Sequence, residues 1–174
     1  MVPDPAQNRS VPPIDRKPLL RFLRSQFAIH WHGHHGVAHW ARVRANGLML
    51  APLTGANRHV VELFAFFHDS CRVNEYDDEG HGTRGADLAG QLKGRFFEAS
   101  DYEMDLLAHA CRHHSDGRSQ GDATVLTCWD ADRLDLGRVG IKPRADLLCT
   151  SAARQAPMLA IANARAQAWV SRTR

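Results

Sequence analysis

The chain has 174 residues, a formal net charge of +3 at pH 7, 44% hydrophobic residues and 24% charged residues. This length and composition predict one globular domain with a full core, and the mild charge gives no support to a nucleic-acid-binding surface. Charges interrupt every apolar stretch, which excludes a membrane span. Residues 1–5 lack the pattern of a signal peptide. We therefore expect a cytoplasmic location, with the four cysteines as reduced thiols.

The first third of the chain combines a proline-rich start with three predicted helices. Residues 1–16 contain four prolines, which predicts a flexible N-terminal arm before a single helical domain over 17–174. Pro18 suits the start of a helix that continues over 19–27. A second helix is predicted over 34–51, ending before Pro52. Asn57 can cap a third helix that runs to Phe67.

The rest of the chain also indicates helices. A polar loop is predicted over 74–82, because that stretch has no apolar periodicity. Further helices are predicted over 83–97, 101–113, 125–136 and 150–171, with Pro157 as a kink or restart in the last. No segment alternates with period two. We therefore predict an all-α fold of about six to eight helices.

The adjacent pair His68-Asp69 closes the third predicted helix and is the strongest functional signal in the chain. Apolar residues at helical spacing before it predict a buried face, and an unpaired buried charge is costly. A divalent metal ion is the partner that suits imidazole and carboxylate together. His39 can face inward from the second helix as a further ligand. The alternative for His39 alone is a core histidine bonded to a backbone carbonyl.

A run of acids near the end of the chain supplies a carboxylate candidate. Asp130, Asp132 and Asp135 lie within one predicted helix, and spacing alone does not select the ligand among them. Asp132 and Asp135 share a helix face, whereas Asp130 points elsewhere. For any one of them, a solvated helix face or an N-cap is the alternative.

These residues resemble a known family. His39, His68-Asp69 and Asp132 match, in order, the H…HD…D signature of the HD-domain superfamily of metal-dependent phosphohydrolases. Residues 39–43 (HWARV) resemble its first-ligand segment, HxxRV, and residues 131–134 (ADRL) resemble its closing ADxL segment. The second match favours Asp132 over Asp130. The resemblance covers residues 34–140 and implies an HD-domain-like helical bundle.

Two more histidines lie where members of this superfamily with a second metal place theirs. Residues 81–86 (HGTRGA) resemble the H…GA segment that follows the HD pair. His114 ends a predicted helix, and His113 is the neighbouring candidate, pointing about 100° away. An exposed loop residue is the alternative for His81, and a favourable charge at a helix C-terminus is the alternative for His114. The resemblance implies that Asp69 bridges two ions, with His39, His68 and Asp132 on one side and His81 and His114 on the other.

Several other residues are candidates for supporting roles. Arg72 and Arg84 flank ligand positions, so we expect them to contact a substrate phosphate. The alternative for each arginine is a salt bridge to a nearby carboxylate at 77, 78, 130 or 135. Asp130 could orient a ligand histidine. A histidine cluster is either an accessory metal site or a polar loop; its members are His30, His32, His34 and His35.

The resemblance implies an enzyme that hydrolyses phosphoric ester bonds in a small phosphorylated molecule or a nucleotide. His68 and Asp69 are its candidate catalytic residues, and its cofactor is one or two divalent ions of Fe, Mn, Zn, Ni, Co or Mg. No membrane or specific nucleic-acid partner is expected, and an oligomer is compatible with the sequence. Two alternatives stay open: a diiron oxygenase of the same superfamily, and a non-catalytic nucleotide-binding regulatory module.

Overall fold

The computed structural model describes residues 14–173, and this part of the chain is helical throughout its regular structure. It contains seven α-helices and two short 3₁₀ turns, at Leu136–Val139 and Ala145–Leu147. The all-α prediction is therefore confirmed. The helices are α1 Arg16–Gln26, α2 Val37–Thr54, α3 Arg58–Phe67, α4 His81–Leu92, α5 Asp101–His113, α6 Ala123–Arg133 and α7 Ala156–Thr173.

The end of α2 differs from the prediction because a glycine, rather than a proline, stops the helix. Pro52 lies inside α2, which continues to Thr54. Gly55 adopts a left-handed conformation with φ of 72°, and its N–H donates to the carbonyl of Ala51. This is the usual geometry of a glycine that terminates a helix. The predicted start at residue 34 is also wrong, since α2 begins at Val37.

The ends of three other helices also differ from the predicted ends. Helix α4 begins at His81, inside the predicted loop 74–82, and ends at Leu92 instead of residue 97. Beyond Leu92 the chain turns, and the N–H of Gly94 donates to the carbonyl of Phe97. Asp122 accepts from the N–H of Thr124, so α6 begins at Ala123, before the predicted 125. It ends at Arg133 instead of 136, and α7 begins six residues after the predicted 150.

Helix α3 lies at the centre of the bundle. It packs against α2, α4, α5 and α6, and every residue from His59 to Phe67 is buried. Asn57 caps it as predicted, accepting from the N–H groups of His59 and Val60. Because α3 is enclosed on all sides, the His68-Asp69 pair at its C-terminal end reaches the interior of the domain.

The two ends of the chain pack differently onto this bundle. Most of the predicted arm, residues 1–13, lies outside the described residues, but Ile14 is buried and the N–H of Asp15 donates to the carbonyl of Phe96. Helix α7 packs against α2 and the Leu136–Val139 turn. No helix in the described part of the chain is long and apolar enough to cross a bilayer. The division into an arm and one domain stays a prediction.

Candidate metal centre

The carboxylate of Asp69 stands between two pairs of histidines. Its Oδ2 lies 3.5 Å from Nε2 of His39 and 3.6 Å from Nε2 of His68. Its Oδ1 lies 3.3 Å from Nε2 of His81 and 3.6 Å from Nε2 of His114. Only 2% of Asp69 is exposed. One buried side chain thus offers a separate oxygen to each pair.

The first pair comes from α2 and the end of α3, and Asp132 joins it from α6. The Nε2 atoms of His39 and His68 are 3.0 Å apart, and both residues are fully buried. Oδ1 of Asp132 is 3.3 Å from Nε2 of His39 and 4.0 Å from Nε2 of His68. The Asp132 side chain is 18% exposed, so this group of donors retains an opening.

The second pair comes from the start of α4 and the end of α5. The Nε2 atoms of His81 and His114 are 2.9 Å apart, and both residues are buried. The neighbouring His113 turns away and its Nδ1 contacts Oδ2 of Asp116 at 2.7 Å. The structure therefore brings His114, and not His113, to Asp69. Glycine at position 82 allows this approach, since a methyl group there would overlap the carbonyl of Cys111.

The hydrogen bonds of the four Nδ1 atoms determine whether the four Nε2 atoms can bind a cation. Each Nδ1 faces an oxygen that is a hydrogen-bond acceptor, so in the neutral form of each ring the proton belongs on Nδ1. The Nε2 of a neutral ring then presents a lone pair to the interior. The Nδ1 contacts are His39 with Oδ2 of Asp135 (2.7 Å), His68 with the carbonyl of Phe64 (3.1 Å), His81 with the carbonyl of Asp78 (2.6 Å) and His114 with the carbonyl of Cys111 (2.7 Å).

This arrangement fits divalent cations. In each pair two Nε2 atoms face each other at 2.9–3.0 Å, and carboxylate oxygens lie beside them. Among the described residues, two groups of side chains could hold a metal ion, and Asp69 belongs to both. Nitrogen and oxygen donors of this kind suit iron, zinc, manganese, cobalt or nickel.

The ionisation of the centre supports the same interpretation. Burial lowers the pKa of His68 to about 3, although Asp69 and Asp132 oppose this effect, so the ring is neutral at pH 7. Burial alone would raise the pKa of Asp69, but His68, His114 and His81 hold it well below its usual value. The carboxylate is therefore ionised. Burial lowers the pKa of His114, but the contact with Asp69 outweighs it and raises the value overall. A cation competes with that proton.

Asp135 supports a candidate ligand, a role that the sequence did not predict for it: the sequence indicated a possible ligand or a salt-bridge partner of an arginine. Its Oδ2 contacts Nδ1 of His39, and its Oδ1 accepts from Nε of Arg42 at 2.7 Å. The predicted role of Asp130 in orienting a histidine is wrong, because its carboxylate accepts from the backbone N–H groups of Cys149 and Thr150. The available signal was that Asp135 shares a helix face with Asp132.

The two predicted phosphate-contacting arginines occupy different places. Nε of Arg72 donates to Oδ1 of Asp69 at 2.8 Å, and the side chain lines the cavity beside the second histidine pair. All three guanidinium nitrogens of Arg84 are engaged by Asp78 and by the carbonyls of Cys71 and Glu79. The structure thus brings Arg72 to the metal centre, whereas Arg84 holds the loop before α4.

The histidine cluster before α2 does not form a further metal site among the described residues. His30, His32 and His34 belong to neither group that could hold an ion. Nδ1 of His35 contacts Oε2 of Glu75 at 2.8 Å, which ties this segment to the loop that precedes α4.

A cavity of about 460 Å³ opens onto the second histidine pair. His81, His114 and Arg72 lie in its wall, and the acidic residues Asp77 and Glu79 lie at its rim. A volume of this size matches a small-molecule site. Access to the centre is therefore available on the side of α4 and α5.

These features define a class of protein: an all-α domain in which α2 to α6 gather four histidines and two aspartates around sites for divalent cations. The HD domain family matches residues 36–137, and the chain belongs to this family. The resemblance seen in the sequence is thereby confirmed.

The fold also occurs in a solved structure, that of a predicted HD superfamily hydrolase from an uncultured Thermotogales bacterium. The two chains are 23% identical and superpose with a TM-score of 0.66, covering 92% of this chain and 91% of the other. No protein of curated function matches the sequence.

Proposed function

We propose that the protein is a metal-dependent phosphohydrolase that acts on a small phosphorylated molecule or a nucleotide. The observation that carries this proposal is the position of Asp69, whose two oxygens each face one histidine pair. A carboxylate placed in this way is suited to bridge two divalent ions. His39, His68 and Asp132 would hold one ion, and His81 and His114 would hold the other.

The bound ions would supply an attacking water of lowered pKa and positive charge for the phosphoryl oxygens. The chain's own residues perform the remaining work. His68 and Asp69 would help to hold the ions, next to the cavity whose wall includes His81 and His114. Arg72 contacts Asp69 through Nε and the carbonyl of Tyr76 through Nη1. Its Nη2 has no hydrogen-bond partner among the described residues and can donate to a substrate phosphate.

Metal analysis combined with a substrate panel tests the proposal. The purified protein would be assayed against phosphomonoesters, nucleotides and cyclic phosphodiesters with added divalent ions. We expect phosphate release that His68→Ala abolishes and that His113→Ala, a change at a half-buried histidine that turns away from Asp69, leaves near the wild-type rate. No turnover with any ion, or unchanged turnover in His68→Ala, would contradict the proposal.

One observation also supports a second candidate, a diiron oxygenase. The candidate ligands are all imidazoles and carboxylates, with no thiolate among them, and this set suits iron. Iron retained through purification and oxygen uptake that depends on substrate would favour the oxygenase. Phosphate release without oxygen consumption would favour the hydrolase. Nucleotide binding without any product would instead indicate a regulatory module.

A further inference from the structure

A second and larger cavity lies apart from the candidate metal ligands. Its volume is about 790 Å³, and it is bounded by the loop 30–34, the turn at 137–140 and the C-terminal part of α7. None of the six candidate ligands lines it. Among the residues that the structure describes, no aspartate or glutamate lines it either, whereas Arg138, His30, His32 and His34 do. Arg138 is the one arginine, lysine, aspartate or glutamate that the described part of the wall presents.

Arg138 is the buried cation of this wall, and part of its guanidinium is unused. The residue is 7% exposed. Its Nε donates to the carbonyl of His34 at 2.9 Å, and its Nη1 donates to the carbonyl of Asp135 at 3.3 Å. These two contacts hold the side chain in place. Its Nη2 has no hydrogen-bond partner within residues 14–173, although the side chain lines the cavity.

One carboxylate behind the wall is shared among three partners. Oδ1 of Asp135 lies 2.7 Å from Nε of Arg42, and its Oδ2 lies 3.9 Å from Nη1 of Arg138. The same Oδ2 contacts Nδ1 of His39 at 2.7 Å. Asp135 therefore pairs only part of the Arg138 guanidinium, and Nη2 of Arg138 stays available to an anion.

We propose that this cavity binds a small oxyanion, a phosphate or carboxylate group, through Nη2 of Arg138. A buried guanidinium that is already held by two backbone carbonyls loses little freedom on binding, and charge-assisted hydrogen bonds to such anions are strong. The exposed imidazoles at the rim add further N–H donors. The anion is either free phosphate or a second anionic group of the molecule bound at the metal centre.

A charge change in the cavity tests the site without disturbing Arg138. Val139 lines the cavity and is 41% exposed, so Val139→Glu introduces a negative charge there and Val139→Gln is its neutral match. Calorimetric titration of the metal-loaded proteins with inorganic phosphate is the measurement. We expect Val139→Glu to weaken one phosphate-binding event by roughly tenfold or more. Val139→Gln should retain wild-type affinity.

Two results would overturn the proposal. The first is equal phosphate affinity in Val139→Glu and Val139→Gln. The second is phosphate binding that His68→Ala removes and Val139→Glu leaves unchanged, since the metal centre alone would then account for it. Thermal melts of both Val139 variants establish that each is folded. The titration does not depend on turnover, so it stands whether or not the protein proves to be a phosphohydrolase.

Kinetics distinguishes the two sources of the anion. If the anion is a second group of the substrate, Val139→Glu raises KM only for phosphoesters that carry such a group, and kcat is unchanged. If the anion is free phosphate, added phosphate alters kcat in the wild type and in Val139→Gln but not in Val139→Glu.

Discussion

Nδ1 of His39 lies 2.7 Å from Oδ2 of Asp135, a residue 96 positions further along the chain. The other three candidate ligand histidines direct Nδ1 to backbone carbonyls. His39 alone among these four uses a carboxylate, which makes its Nε2 more electron-rich. Among the four candidate histidine ligands, His39 is therefore the one whose ring orientation depends on the side chain of a residue outside the ligand set.

Replacing the carboxylate of Asp135 should weaken metal binding by the group that contains His39, His68 and Asp132. We expect Asp135→Asn to lower metal affinity by about 10–100-fold, the usual cost of losing a hydrogen-bond partner of a ligand. Competition with a chromophoric chelator measures the affinity. Asp146→Asn is the matched control, because Asp146 forms an exposed pair with Arg144. Wild-type affinity in Asp135→Asn would show that Asp135 does not support the centre.

The adjacent histidines at the end of α5 allow a direct count of ions. His114 contacts Asp69, whereas His113 contacts Asp116 near the surface. We expect His114→Ala to reduce bound metal from about two ions per chain to about one, and His113→Ala to change nothing. Inductively coupled plasma mass spectrometry after dialysis provides the measurement. Equal metal content in the two variants would argue against a second site.

The sequence predicted the candidate metal ligands better than it predicted the residues that hydrogen-bond to those ligands. His39, His68, Asp69 and Asp132 were identified through ordered motifs, and the structure brings them together. The contact of Asp135 with His39 was not predicted, because helical periodicity shows which face a residue occupies but not which distant side chain meets that face. Its partner His39 belongs to α2, and only the packing of α2 against α6 joins them.

The sequence also predicted some helix ends wrongly, because local backbone conformation decides where a helix stops. Pro52 predicts the end of α2, but proline is tolerated within this helix and the left-handed Gly55 ends it. For Arg84, sequence pattern could not decide between a contact with a substrate phosphate and a salt bridge to a nearby carboxylate. The side chain had a charged partner within reach at Asp78 and pairs with it at 2.6 Å, so it is not directed to the metal centre.

The close packing of α4 on α3 predicts opposite effects at two glycines of one helix. A methyl group at Gly85 would overlap the carbonyl of Phe67, next to the HD pair, whereas nothing lies within 4 Å of one at Gly90. We expect Gly85→Ala to cost about 1–3 kcal/mol through overpacking. Gly90→Ala should stabilise by about 0.5–1 kcal/mol through helix propensity. Urea unfolding followed by circular dichroism measures both, and a shared sign would contradict the packing.

The contacts of the buried Glu62 with two more exposed arginines, away from the metal centre, predict how stability depends on pH. Oε1 of Glu62 accepts from Nε of Arg16 at 2.6 Å and from Nε of Arg44 at 2.7 Å. Burial would raise the pKa of Glu62, but the two arginines outweigh it and lower the pKa below 4.5. A carboxylate with a lowered pKa in the folded state stabilises the protein above its unfolded-state pKa. That contribution is lost as the pH falls through the folded-state pKa.

Glu62→Gln should therefore destabilise the protein by about 1–3 kcal/mol at neutral pH, the usual range for hydrogen bonds to charged groups. The difference from wild type should shrink at acidic pH, as the pH falls through the lowered pKa of the folded wild-type carboxyl and that carboxyl takes up a proton. Urea unfolding at a series of pH values measures this difference. Asp87→Asn, at an exposed pair with Arg112, should stay within about 0.5 kcal/mol of wild type throughout. A Glu62→Gln effect that does not vary with pH would show that packing, and not the charge, accounts for the loss.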